Sequence, residues 1–483
     1  MSSEIIDMGA CELGRAIARR DLSPVEVVDA HIAHIEAVNP TLNAVVATRF
    51  EAARAEAQAA ESFLADNPSP SPLYGVPCTV KDFLGCVGLP HTGGMLARKD
   101  HLATENATVV QRLQDAGAII LGNTNVPEGG LWMETDNLIY GRTHNPWRKG
   151  FSPGGSSGGE GAIIAAGGAP FGLGSDIGGS IRIPAAFCGT AGHKPSGRLV
   201  PNTGHYPGGD PGVGAYLVTG PLARKVEDLR AVMDIIAGPD DLDPVCTPLP
   251  WTETTPTDLR DVVVYPVETN GRARVSKEMR QAIADSARAL ADRGARIEER
   301  PFPGMKKGFE IWASMMSEGA NDHYDVVLGQ GEAINVWQQL LKLPFRRANH
   351  TYHALLMTLA DKLTGGLTAF AKRRVADGLA LRAEFEDALG PNGVLLHPPY
   401  SRPAPRHHGA WRTPFDAACT ALFNVMEFPC THVPISTSRK GLPVGVQVIG
   451  RRGHDGLTLA VASALEDAFG GWRRAPFDAN GWA

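Results

Sequence analysis

The residues with chemistry to offer gather around a glycine-rich centre. Residues 150–179 hold 12 glycines, with Ser156 inside Gly154-Gly155-Ser156-Ser157-Gly158 and Ser180 just after Gly178-Gly179. Three chemistries compete for this stretch. A phosphate-cradling loop needs a lysine directly after a glycine, and the chain has no Gly-Lys dipeptide, which argues against nucleotide binding there. A nucleophile elbow is formally matched, with Ser156 as nucleophile. It needs a strand immediately before it, yet Pro146-Trp147-Arg148-Lys149-Gly150 reads as loop. The third reading joins two serines with a lysine. Gly178-Gly179 lets backbone N–H groups converge beside Ser180, as an oxyanion requires. Lys81 ends the apolar stretch Gly75-Val76-Pro77-Cys78-Thr79-Val80. A lysine among apolar neighbours can be neutral and act as a base. Spacing alone does not prove that these groups meet.

The elements that must position them are partly legible. Ser23-Pro24-Val25-Glu26 is a capping box with proline at the first helical position. Val25, Val28, Ile32 and Ile35 follow at helical spacing, and Asn39-Pro40 is expected to end the helix. Further helices are predicted over 50–64, 108–116, 161–166, 277–293 and 457–469, and residues 305–390 read as mostly helical. Strands are predicted at 118–122, 171–173, 262–265, 295–299, 394–396, 432–435 and 444–449, and Asp240 to Pro256 as a polar, proline-rich connection. Strands and helices alternate without an internal repeat, which indicates the α/β class.

The motifs together closely resemble the amidase signature family, serine hydrolases with a Ser–cis-Ser–Lys triad. The match runs through residues 154–159 and 174–189, Gly75-Val76-Pro77 with Val80-Lys81-Asp82, Thr124-Asn125-Val126-Pro127-Glu128, residues 141–146, and Gly441-Leu442-Pro443-Val444-Gly445-Val446-Gln447. It covers about residues 10–472 and is weakest over 250–390. The resemblance implies one large α/β domain over residues 1–483, with a twisted mixed sheet flanked by helices. It has a signature core at about 70–225 and a more variable substrate-side region at about 250–390. It also implies Ser180 as nucleophile, Ser156 after a cis peptide bond as proton relay, and Lys81 as base. The N–H groups of Ile177, Gly178, Gly179 and Ser180 would form the oxyanion hole. Ser157 and Arg182 would support the site, and Gly130, Leu131 and Met133 would line the acyl pocket. The elbow reading of Ser156 gives way to a relay. The implied reaction is hydrolysis of a carboxylic amide to a carboxylate and ammonia or an amine, through an acyl-enzyme, with no cofactor and no metal.

Departures from the family pattern leave the triad intact. His193 stands where leucine is common, and Ser175 and Ser196 where threonine is common. Gly161 and Leu199 to His205 lean toward the fatty-acid-amide-hydrolase-like branch, although the membrane-binding segments of its animal members have no obvious counterpart. The alternative is the glutaminase subunit of a tRNA-dependent amidotransferase. Such subunits commonly carry glutamine where Ile183 stands and Ser-Leu-Asp-Gln shortly downstream, whereas this chain reads Gly214 to Pro221 there. A scaffold with a dead site is set aside by the intact triad.

Bulk properties narrow the setting. With 483 residues, 43% hydrophobic and 20% charged, the chain can bury a sizeable core and is not a disordered one. The net charge of −6, without a basic block, argues against a nucleic-acid partner. Seven cysteines without a Cys-x-x-Cys pair fit reduced, buried thiols. The N-terminus shows no signal peptide, and the apolar stretch from Ala162 to Gly174 is too short to span a bilayer. A cytoplasmic enzyme acting on a small-molecule amide is the expectation, with a homodimer left open. His31 and His34, at helical spacing, lack the other ligands of a metal site and are expected to be solvated or capped; His407-His408 is expected at the surface.

Overall fold

Eleven strands form one mixed sheet in a computed structural model that describes residues 2–208, 211–249, 251, 258–320, 323–364 and 368–482. In chain order they are β1 (Val45–Thr48), β2 (Pro77–Lys81), β3 (Ile119–Thr124), β4 (Phe171–Asp176), β5 (Ala191–Lys194), β6 (Val218–Ala223), β7 (Val263–Pro266), β8 (Arg296–Ile297), β9 (Gly393–His397), β10 (Cys430–Thr437) and β11 (Pro443–Ile449). Across the sheet the order is β1-β3-β2-β4-β6-β5-β10-β11-β9-β7-β8. The trio β3-β2-β4 is parallel, as is β9-β7-β8, while the strands between them pair antiparallel. Parts of the proline-rich connection, residues 250 and 252–256, lie outside the described residues.

Both faces of the sheet are covered, so its central strands are buried rather than alternating with solvent, except where β10 runs into solvent at Ser436 and Thr437. Successive residues still go to opposite cores. Ile120 joins a large cluster with Val80, Leu173 and Val446, while its neighbours Ile119 and Leu121 pack on the other face with Ile163 and Ile164. On β9, Val394 and Leu396 enter the first cluster, and Leu395 a third one with Phe385 and Phe423.

Five helices bear on the site: α1 (Pro24–Leu42), α2 (Gly158–Ala165), α3 (Arg182–Cys188), α4 (Gly308–Gly319) and α5 (Ala418–Val425). The capping box opens α1 as expected, with Ser23 and Glu26 bonded reciprocally. The expected end at Asn39-Pro40 is corrected, because Pro40 lies inside the helix. A proline in the last turn removes only one late N–H. The chain leaves the helix at Asn43, in the left-handed region at φ 53°, and the Asn39 side chain accepts from the Ala44 and Val45 N–H groups. The small-residue helix α2 begins at Gly158, three residues before its expected start, and the strand expected over 295–299 shrinks to the two residues of β8. Among the described residues, no helix is long and apolar enough to cross a membrane.

Candidate active site

The site sits where β2 and β4 end. These neighbours run parallel, with Thr79 beside Gly172 and Val80 beside Leu173, so Lys81 and Ser175 emerge together at the carboxyl ends. Crevices outside such strand ends are where open α/β sheets build their sites. Lys81 Nζ lies 2.7 Å from Ser156 Oγ, 3.1 Å from Ser175 Oγ and 3.3 Å from Ser175 O, and 4.5 Å above the Phe83 ring. The amine is fully buried, and burial pulls its pKa well below the ordinary lysine value of 10.5.

Two nearby carboxylates could restore the charge, and both are engaged elsewhere. Glu160 on α2 accepts from Thr79 Oγ1 at 2.6 Å and Thr124 Oγ1 at 2.8 Å, and burial lifts it to about 8. Asp176, although burial opposes its charge, is held well below the usual carboxylate range by the Arg182 guanidinium. Among the described residues, Lys81 therefore has no carboxylate partner of its own.

Ser156 follows a cis peptide bond from Gly155. The main chain there presses on residues 132–134. A Cβ at Gly155 would stand 2.8 Å from Trp132 O and 2.9 Å from Glu134 N, closer than a side chain allows. Ser157 fastens the segment to β4. Its hydroxyl lies 3.3 Å from both Ser175 N and Ser175 O, and its N–H donates to Ser180 O at 3.1 Å.

Ser180 ends a tight loop between β4 and α3, and it shares one cavity wall with Ser156. Its hydroxyl bonds to no other described residue. Asp176 shapes this loop by accepting from Gly179 N at 2.7 Å and Ile181 N at 3.0 Å. Trp312 Nε1 donates to Ile177 O at 2.9 Å and Thr420 Oγ1 to Gly178 O at 2.8 Å. In a trans peptide C=O and N–H point opposite ways, so holding the Ile177 carbonyl fixes the Gly178 N–H on the other side. The Gly179 N–H, expected among the oxyanion donors, is engaged by Asp176, a strong acceptor. Ile177, Gly178 and Ser180 keep N–H groups free of other described residues. Gly179 has a different reason to be glycine, since its φ is +127° and a Cβ would meet Thr420 Oγ1 at 2.2 Å.

Arg182 is wholly buried and saturated. It donates to Asp176 at 3.0 and 2.9 Å, Asn424 Oδ1 at 2.6 Å, Thr420 O at 3.0 Å and Gln447 Oε1 at 3.1 Å. Asp176 and Gln447 lay inside quoted motifs without an assigned task; Asn424 and Trp312 carried no sequence signal. We expect Asp176→Ala to lower the free energy of unfolding by about 3–5 kcal/mol, because it strands the buried guanidinium. A urea transition unchanged from wild type would contradict that.

Gly130, Leu131 and Met133 line the same cavity, of about 440 Å³, as do Ser156, Ser180 and Ile183. Residues from 309 to 360 close its far side, among them Phe309, Trp312, Met316, Val327, Leu356 and Met357. Among the described residues, no Asp, Glu, Lys or Arg belongs to the lining. The histidine pair of α1 is not a ligand set: His31 Nδ1 lies 2.8 Å from Val27 O and His34 Nε2 2.7 Å from Ala166 O. His408 is exposed as expected, whereas His407 is half-buried, with Nδ1 3.8 Å from Glu134. All seven cysteines are buried and free.

A buried lysine and two serines at the strand ends of a helix-covered mixed sheet define a class of hydrolase, and comparison with known proteins places the chain within it. The Amidase family profile matches residues 26–459, and the chain belongs to that amidase family. It is similar to Fatty-acid amide hydrolase 2-B of Danio rerio, 36% identical, with 98% of this chain and 91% of that protein covered. It is also similar to an acylamidase of Rhodococcus erythropolis, 32% identical, with 95% of each chain covered. Among solved structures, 6-aminohexanoate cyclic dimer hydrolase superposes with a TM-score of 0.81 at 28% identity, covering 97% of this chain and 98% of that one. The protein is thus a hydrolase of carboxylic amides.

Proposed function

We propose that the enzyme cleaves uncharged amides with apolar acyl groups through an acyl-enzyme on Ser180. The observation that carries this reading is a neutral-leaning, buried Lys81 bonded to Ser156, with Ser156 and Ser180 on the wall of an uncharged cavity. Lys81 takes the Ser156 proton while Ser156 takes that of Ser180, and Ser180 Oγ attacks the carbonyl carbon. The N–H groups of Ile177, Gly178 and Ser180 receive the oxyanion. The proton returns through Ser156 to the departing nitrogen, which leaves as neutral ammonia or amine. Water then repeats the sequence on the ester, releasing the carboxylate and restoring Ser180.

The cavity selects the acyl group. An apolar chain or ring gains roughly 25 cal/mol for each Å² removed from water. Free glutamine would bring an ammonium and a carboxylate against a wall whose described residues offer no charged partner, which opposes the glutaminase reading. Ile183, an apolar residue in that wall, acts in the same direction. The seven buried free thiols support work in the reducing cytoplasm.

A fluorophosphonate probe is expected to modify the peptide carrying Ser180; an adduct on Ser156 would restore the elbow mechanism. In a substrate panel, aryl or long aliphatic primary amides should exceed glutamine in kcat/KM by at least about 100-fold, the cost of burying unpaired charge. Equal rates for glutamine would overturn the assigned acyl class.

A further inference from the structure

His205 has no part in the chemistry described so far, yet it terminates the hydrogen-bond chain that starts at Lys81. Its Nδ1 lies 2.8 Å from Pro207 O and its Nε2 2.8 Å from Ser175 Oγ. The ring is buried in the cavity wall and meets the Phe83 ring edge-on at 5.6 Å. These partners dictate where the hydrogens are. A carbonyl oxygen only accepts, so Nδ1 carries the ring hydrogen. Nε2 of the neutral imidazole is then an acceptor, and the Ser175 hydroxyl must donate to it.

That donation decides what Ser175 can offer Lys81. With its hydrogen turned to His205, Ser175 Oγ can only accept from Nζ, 3.1 Å away; Ser175 O, at 3.3 Å, can likewise only accept. A neutral amine has two N–H groups and one lone pair. Ser175 takes both hydrogens, and the lone pair is left for the Ser156 hydroxyl at 2.7 Å. We propose that His205 is a positioning residue that, acting through Ser175, aims the Lys81 lone pair at Ser156. The inference rests on the Ser180–Ser156–Lys81 mechanism proposed above.

The reverse arrangement shows why the ring must be neutral. An imidazolium would donate from Nε2 to Ser175, whose own hydrogen would then turn onto the Lys81 lone pair and block it. Burial, followed by the nearby Lys81 charge, pulls His205 down to about 3, so the blocking form is absent near neutrality. The other titratable groups facing this chain are engaged elsewhere. Glu160 is held by Thr79 and Thr124, Asp176 by Arg182, and His91 Nε2 lies 3.1 Å from Phe83 O. None of them is bonded to Ser175.

The test is the rate of Ser180 labelling by a fluorophosphonate across pH, in wild type, His205→Asn and His205→Gln. Asparagine can place an amide N–H where Nδ1 stands but does not reach Ser175, while glutamine can place an accepting oxygen where Nε2 stands. Loss of base aim should slow labelling by His205→Asn at least about tenfold and displace its acid limb, while His205→Gln stays within about threefold of wild type. Ser175→Ala should match His205→Asn, with no further loss in the double variant. An Asn variant labelling as fast as wild type overturns the proposal, and so does an equal loss in Asn and Gln. If His205→Asn fails to fold, Ser175→Ala against Ser175→Thr decides: alanine at the wild-type rate overturns the proposal, and a tenfold loss that threonine restores supports it. A wild-type enzyme unlabelled at Ser180 overturns the mechanism beneath; correct labelling with the wrong ranking of variants overturns this inference alone.

Discussion

Ser180→Ala should abolish amide and ester hydrolysis together, with a fall in kcat of about 10⁶, the scale on which loss of a nucleophile is felt in serine hydrolases. On the proposed mechanism both substrate types pass through the same bond to Ser180 Oγ, so neither can bypass the loss. Folding should be untouched. The hydroxyl is bonded to no described residue and opens onto the cavity, so its removal strands no buried partner. Matched turnover assays and thermal unfolding of the two proteins check both halves. Ester turnover within tenfold of wild type would move the nucleophile elsewhere, with Ser156 the first alternative.

Lys81→Ala should separate the two substrate types. A positioned base contributes about 10²–10⁴, and an amide uses Lys81 twice, to deprotonate Ser180 and to protonate the nitrogen. An ester leaving group departs without the second transfer. Amide turnover should therefore fall by about 10³ or more, and ester turnover by less. The pH profile follows from the direction of the shift. On the proposed mechanism the neutral amine is the active form, and its pKa is depressed, so wild-type activity should be present above that value and lost as pH falls through it. The acid limb should stand well below the ordinary lysine range in wild type and vanish from the residual activity of Lys81→Ala. Near wild-type amide turnover with an unchanged limb would show that another group is the base.

Residues that act through local geometry were the legible ones. Lys81 closes an apolar stretch, and Ser156 and Ser180 follow glycine pairs, so type and neighbours already suggested the chemistry. What stayed hidden depends on strand order. Arg182 and Gln447 are 265 positions apart, and nothing short of the sheet shows that one holds the other. His205 was visible only as the end of the Leu199 to His205 stretch, because its proposed task comes from the position of Ser175. Strand β6 escaped notice because Gly220 and Pro221 interrupt its apolar pattern. Proline is rare in a central strand, yet Pro221 faces Leu173 within this sheet. Pro40 misled in the opposite direction, since a helix tolerates proline in its last turn when a side chain closes the end.

The uncharged lining also bears on what happens after the bond is broken. Hydrolysis turns a neutral amide into an anion inside a cavity whose wall, among the described residues, offers no arginine or lysine. The proposed oxyanion donors would suit a tetrahedral carbon that no longer exists, and Lys81 is buried and bonded to Ser156. The carboxylate is therefore better solvated by bulk water than by the site that made it. On the proposed acyl class, each turnover converts a ligand that fits into one that does not, so the acid product is expected to inhibit poorly.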